Sequence, residues 1–257
     1  MNWVLLESMK KLLDLSFQLA KAEFKLKNEG TYLGVFWYLL APLFTFSLLF
    51  LIFRDRLGNN IPNYALYLLL GIIIFNLFMQ SSKDSTRIIL KNRQIVKSLK
   101  FNHKSLVLAS VMKNTFSHFF ELFLYIVIAA LFFNIGFGIL FYPIILIFFI
   151  IFLIGFSLIM SSLSVYFVDL NNVWEFVSRL IWLVTPIFYA IEGQTRLFYL
   201  NLFNPMYYFI TISRDVVIYS KIPELWMMLG MGIYSLLFLV IGILIFNKME
   251  AKFAEKI

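Results

Sequence analysis

Apolar residues along this chain gather into six long blocks separated by polar stretches, and each block reads as a membrane-spanning helix. The blocks run Leu33–Phe53, Tyr64–Met79, Leu106–Phe133, Ile139–Phe167, Val173–Ile191 and Leu225–Phe246. Polar residues interrupt the start of the third block, so its first turns project from the hydrocarbon. Ahead of the first block, residues 2–28 carry a different rhythm. At about 100° per residue, Leu5, Met9, Leu12, Leu13, Phe17 and Ala20 share one face, while Glu7, Lys10, Lys11, Asp14, Gln18, Lys21 and Lys25 fill the other. That pattern predicts an amphipathic helix lying at the membrane interface, as an anchor or as a platform for a cytoplasmic partner. A further apolar stretch, residues 197–213, is split by Asn201 and by Asn204-Pro205. Proline removes a backbone donor and biases Asn204 away from the helical region, so each half is too short to span. A re-entrant hairpin on the outer face fits better than a seventh span, with its irregular backbone buried in protein.

Composition agrees with the blocks: 61% of the residues are hydrophobic, 31 are Phe and only 14% are charged. A soluble domain of 257 residues has no core large enough for them. The expected fold is therefore an all-α membrane protein of six transmembrane helices. Residues 1–30 form its interface helix and residues 31–257 a single membrane domain. The first apolar run has no small-residue cleavage site and reads as a retained span rather than a signal peptide.

The net charge of +8 is placed at membrane edges, which argues against nucleic acid as a partner. Between the second and third blocks, Lys83, Arg87, Lys91, Arg93, Lys97, Lys100 and Lys104 face a single acid, Asp84. The excess of cations puts the 81–104 loop in the cytoplasm, and with six spans both termini lie there too. Ile88, Ile89, Ile95, Val96, Leu99 and Phe101 alternate with those cations. An amphipathic helix of this kind rests on anionic lipid or docks into a groove on another protein; periodicity does not decide which.

Enzymatic motifs are missing. No glycine precedes a lysine, so there is no G-x-x-x-x-G-K nucleotide loop, and H-E-x-x-H and G-x-S-x-G do not occur. His103 and His118 lack metal-ligand spacing, His103 reads as an exposed loop residue, and zero cysteines exclude thiolate chemistry. Charges within the blocks are the next place to look, because each is costly there. Glu175 and Arg179 stand i, i+4, in the favourable order for a helix pair, with Trp182, Pro186 and Tyr189 following on the same face. The stripe lines a polar path, or the two charges neutralise each other and lock two helices. Lys113, Ser117 and Glu121, with His118 beside them, suggest a self-satisfied polar seam. Aromatic residues at Trp37, Tyr38, Trp182, Phe188 and Tyr189 belong to interface belts or offer platforms for sugar rings. Ser157, Ser161 and Ser164 suit close helix packing.

Over essentially its whole length the chain resembles the membrane subunits of ABC-2 type transporters, in particular the polysaccharide exporters of the O-antigen and teichoic-acid type. The resemblance runs through Glu23, Lys25, Tyr32-Leu33-Gly34, Trp37, Ala41 and Pro42, then Asn92 to Phe101. Tyr166-Phe167 with Asp169, Pro186-Ile187-Phe188-Tyr189, Asn204-Pro205 and Arg214 follow in order. Asn102 and Val168 depart from the pattern, where the family often has Pro and Arg. The resemblance implies a homodimeric permease in the bacterial inner membrane, without enzyme activity of its own. It pairs with two copies of an ATPase subunit that binds ATP and Mg2+, and it moves a lipid-linked polysaccharide; a drug or another lipid is the alternative cargo, and a lipid-modifying enzyme a more distant one. On this reading Asn92, Ile95, Val96, Lys97, Leu99, Lys100 and Phe101 form the ATPase-coupling helix. Trp37, Tyr38, Arg179, Trp182, Phe188 and Tyr189 line the channel, and Asn204, Pro205 and Arg214 belong to an outer gate.

Overall fold

The computed structural model describes the backbone of residues 2–30, 34–98, 101–133, 136–167, 169–191 and 195–256, with side chains at all of these except 2–6, 8, 9, 254 and 255. The described residues are helical with no strand. The helices are α1 (Asn2–Asn28), α2 (Trp37–Leu57), α3 (Tyr64–Ser85), α4 (Ile88–Lys91), α5 (Arg93–Ser98) and α6 (Lys104–Phe132). After them come α7 (Tyr142–Tyr166), α8 (Leu170–Val184), α9 (Thr195–Leu202), α10 (Pro205–Val217), α11 (Leu225–Glu250) and α12 (Phe253–Lys256).

Helix α3 is apolar on every side and accordingly occupies the middle. Leu68 to Leu70 and Ile72 to Phe75 are buried, with α2, α6, α7 and α10 packed around them. Helices α2 and α11 use one flank only and leave Leu48, Leu51, Leu236 and Leu244 exposed. Contiguous exposed apolar surface of this kind marks a membrane or protein contact. The close approach of α7 and α11 is set by small residues: a Cβ on Gly242 would sit 2.3 Å from the Gly155 carbonyl oxygen. Ser235 Oγ donates to Phe148 O across the same seam at 2.9 Å.

Among the described residues five helices are long and apolar enough to cross a membrane: Gly34–Asn60 and Phe137–Tyr166, which include short 3-10 turns, and Tyr64–Ser85, Lys104–Phe132 and Leu225–Glu250. The fifth expected block, Val173–Ile191, is not one helix. Helix α8 has 15 residues and ends at Thr185, whose backbone is extended (φ −70°, ψ 132°) because Pro186 follows. At about 1.5 Å per residue α8 alone falls short of a bilayer core. Arms α9 and α10 flank Asn204-Pro205, as the split at that dipeptide predicts.

The amphipathic helix occupies its expected range, but its packed strip is rotated. Ser16 and Ala20 are fully buried against α6 and Phe24 stacks on Phe120, whereas Leu13 and Phe17 are half exposed. Small side chains permit a close approach that Leu13 would prevent; Leu5 and Met9 have side chains outside the described set. The basic loop likewise forms two short helices rather than one. They break at Asn92 (φ −99°, ψ 23°), whose Nδ2 donates to Ile88 O.

Candidate functional site

Where α8 stops, the chain runs outside any helix from Pro186 to Ile191, and its polar backbone needs other partners. Side chains supply them. Arg214 on α10, 3% exposed, donates from Nη1 to Pro186 O at 2.6 Å and from Nη2 to Ile187 O at 2.8 Å. Its Nε and Nη2 also reach Tyr67 O on α3, at 3.1 and 3.0 Å. Tyr64 OH donates to Phe188 O and Tyr67 OH to Tyr189 O, both at 2.8 Å. Four consecutive carbonyls, 186 to 189, are thus each held by a side chain. The open end of α8 is closed in the same way, since Tyr189 OH and Asn201 Nδ2 both donate to Val184 O. Gly71 makes the arrangement possible, because a Cβ there would lie 2.4 Å from Arg214 Nη2.

Asn204 and Pro205 join this network. Asn204 caps α10, its side chain accepting from Met206 N at 3.1 Å with Pro205 in the first turn, and its Nδ2 donates to Thr185 Oγ1 at 2.8 Å. Of the expected channel residues, Trp182, Phe188 and Tyr189 come together. The Phe188 ring lies 5.4 Å from Trp182, 5.2 Å from Tyr189 and 4.8 Å from Phe53 on α2. Phe188 and Tyr189, but not Trp182, line a recess of about 580 Å³ whose walls also include Arg56, Asn60 and Leu183. Arg179 stands apart, exposed on the outside of α8. Because the helix ends before Pro186, the continuous face expected for Arg179, Trp182, Pro186 and Tyr189 does not exist. Tyr38 is buried in a stack with Phe24 and Phe120, whereas Trp37 is 56% exposed.

The charges pair differently from their sequence spacing. Glu175 binds Lys83 at 2.6 Å and Arg87 at 3.7 Å, not Arg179. Arg87 Nε also donates to Asn171 Oδ1 at 2.7 Å, so the start of α8 is tied to the stretch joining α3 and α4. Lys113 binds Asp84 at 2.7 Å and Glu23 at 3.3 Å, linking α6, α3 and α1 instead of pairing with Glu121. Glu121 faces His118 at 3.6 Å, and His118 Nε2 meets Tyr142 OH at 2.8 Å. Among the described residues no cluster of three or more His, Cys, Asp or Glu side chains could hold a metal.

At the basic end, Ile88, Ile89 and Val96 turn inward. They pack with Leu106, Val107, Leu158, Val165, Phe246 and Phe253, and Val96 is only 4% exposed. Ile95, 39% exposed, shares the outer surface of α5 with Arg93, Gln94 and Lys97. Phe101 rests on His103, and His103 is not an exposed loop residue: its Nδ1 lies 2.8 Å from Glu250 Oε1 and its ring meets Phe253. The basic segment is therefore fastened to the end of α11. Nothing in the sequence pattern pointed to that contact. Leu99, Lys100, Tyr32, Leu33 and Val168 lie outside the described residues.

Comparison with known proteins gives this geometry a context. The chain is similar to O-antigen export system permease protein RfbA of Klebsiella pneumoniae, with 30% identity across 95% of both chains, and to a second protein of that name and species at 27%. A protein of the same name from Myxococcus xanthus is 21% identical, again across 95% of each. The model of the ABC-2 type transporter family matches residues 15–218. The match takes in the basic segment, the broken α8 and the Arg214-held arms. Multi-pass in the membrane and all-helical as described, the chain belongs to the ABC-2 type transporter family.

Proposed function

We propose that this chain is the membrane-spanning subunit of an ATP-driven exporter of lipid-linked polysaccharide of the O-antigen kind. It works as a homodimer in the bacterial inner membrane with two copies of a separate ATPase subunit that binds ATP and Mg2+. The observation that carries the reading is the 30% identity, over 95% of both chains, to a permease named for O-antigen export. In this orientation the 81–104 loop and both termini are cytoplasmic, α8 is the inner part of a sixth span, and α9 and α10 form a re-entrant arm on the outer side. No group in this chain is assigned to nucleotide chemistry.

The proposed route for the work starts at the basic end. Arg93, Ile95 and Lys97 would meet the ATPase, and α4 and α5 would move with it. Arg87 precedes α4 and is bonded to Asn171 and Glu175, so displacement of α4 pulls on the start of α8. Its far end is anchored through the carbonyls of 186–189 to α3 and α10, so α8 pivots about Thr185 and opens the face between α2 and α8. Trp182 and Phe188 on that face offer rings to a sliding glycan without binding it tightly.

Cells lacking this chain, complemented with Trp182→Ala, Phe188→Ala or the unaltered gene, provide the test. Surface polysaccharide should fall in both variants while ATP turnover of the purified complex holds. Full surface polysaccharide in both would remove these rings from the path, and full polysaccharide without the chain would end the assignment of cargo.

A further inference from the structure

At the end of the bundle opposite the basic segment, the turn before α7 meets α7, α10 and α11 around a recess of about 570 Å³. None of its walls belongs to α2 or α8, so it is separate from the face assigned to the glycan. Its sides are apolar: Phe141, Ile145, Ile212, Val216, Met228 and Met231. From the start of α11 at Leu225 down to Met231 the wall is about 9 Å deep, at about 1.5 Å per residue. That depth covers the upper part of one leaflet, which is half of a hydrocarbon core about 30 Å thick. In the orientation proposed above it is the outer leaflet.

The mouth is charged. Ser220 takes the left-handed region (φ 49°) and turns the chain between α10 and α11, which sets Ser220 and Lys221 at the rim. The Lys221 ammonium lies 5.8 Å over the Tyr219 ring and attracts Asp215 through space, but forms no ion pair among the described residues. Asp215 in turn feels Glu224. One cation beside two acids complements a head that carries both a phosphate and an ammonium; a purely anionic head would meet two like charges. A protein helix suits the space less well. At 10–12 Å across with its side chains it would fill about 700 Å³ over the same depth, more than the recess holds, whereas a single hydrocarbon chain is slimmer. We infer that the recess takes one acyl chain of a phospholipid, with its phosphate on Lys221 and its ammonium toward Asp215 and Glu224. Such a site depends on the membrane placement of the chain and not on the identity of the cargo, so the glycan reading stands or falls separately.

Photolabelling in nanodiscs tests this. The full chain with its ATPase is placed in a bilayer containing a trace of lipid whose acyl chain carries a diazirine. Three probes share that chain: phosphatidylethanolamine, phosphatidylglycerol and diacylglycerol. After illumination, label is read by mass spectrometry on Ile145, Ile212 and Met231 of the recess, relative to Leu229 and Ile233, which are exposed on α11 outside it. Phosphatidylethanolamine should give a ratio about threefold above the other two, the size of one exposed charge contact. Lys221→Gln, at an exposed position, should bring that ratio down to the diacylglycerol value. Equal ratios for the three lipids, a higher ratio for phosphatidylglycerol, a phosphatidylethanolamine ratio unmoved by Lys221→Gln, or label confined to Leu229 and Ile233 would each overturn the inference.

Discussion

Replacing Arg214 with Met removes the fork that holds the end of the broken α8. Tyr67 O lies inside α3 and keeps its helical donor, but Pro186 O and Ile187 O lose the guanidinium that binds them at 2.6 and 2.8 Å. Leaving two buried acceptors unpaired costs about 2–6 kcal/mol. The lower figure is the working one, because Met also relieves the cost of burying a cation. The loss is local, since α3, α7 and α11 do not depend on the fork. Hydrogen exchange read on a peptide covering 185–191 in nanodiscs should therefore accelerate about 30-fold at the least, with peptides of α11 unchanged. Gly71→Ala should act in the same direction more weakly, because its Cβ presses on Nη2 at the movable end of the side chain. Exchange in 185–191 within about threefold of the parent in Arg214→Met would refute the view that this side chain orders the segment.

Other expectations follow from the pairs described above. Lys113→Met strips Asp84 and Glu23 of a shared, buried cation and should destabilise the chain by about 3 kcal/mol, the low end for breaking such a pair, because Asp84 keeps some solvent. Thermal unfolding followed by tryptophan fluorescence measures this, and Asp84→Asn in the same chain should recover part of the loss; no change in Lys113→Met would mean the triad is idle. At the basic end, Ile95→Asp should leave the fold intact and weaken retention of the ATPase about tenfold in co-purification, as loss of an interface anchor does. Val96→Asp instead puts a charge into a closed apolar cluster and should lower chain stability itself. Equal behaviour of the two variants would contradict the inward and outward assignment.

Much of the fold was legible because the chain's solvent is apolar. Long blocks, a 27-residue amphipathic start and a cation-rich loop each follow from simple periodicity and charge. The Asn204-Pro205 split was legible too, since proline acts through local backbone sterics. Pro186 carried the same signal for the end of α8, and the residue before it takes the extended form that proline favours. What the pattern could not show are pairings set by tertiary neighbours. Glu175 and Arg179 are well spaced for a helix pair, yet α3 brings Lys83 closer. Val96 and Ile95 are both apolar members of one basic loop, and the tertiary cluster of Val96 with Leu106, Leu158, Phe246 and Phe253 decides which faces out. Tyr38 and Trp37 are adjacent, but Phe24 of α1 claims one and leaves the other open.

Transport itself is the most direct test. The chain and its ATPase, reconstituted in proteoliposomes with the basic end outward, are given ATP and a lipid-linked, labelled glycan. The account predicts that label becomes enclosed in the lumen with ATP, that a hydrolysis-dead ATPase abolishes this, and that Trp182→Ala slows it while ATP turnover continues. Enclosure at the same rate without ATP, or ATP turnover with no glycan moved by the unaltered complex, would contradict it.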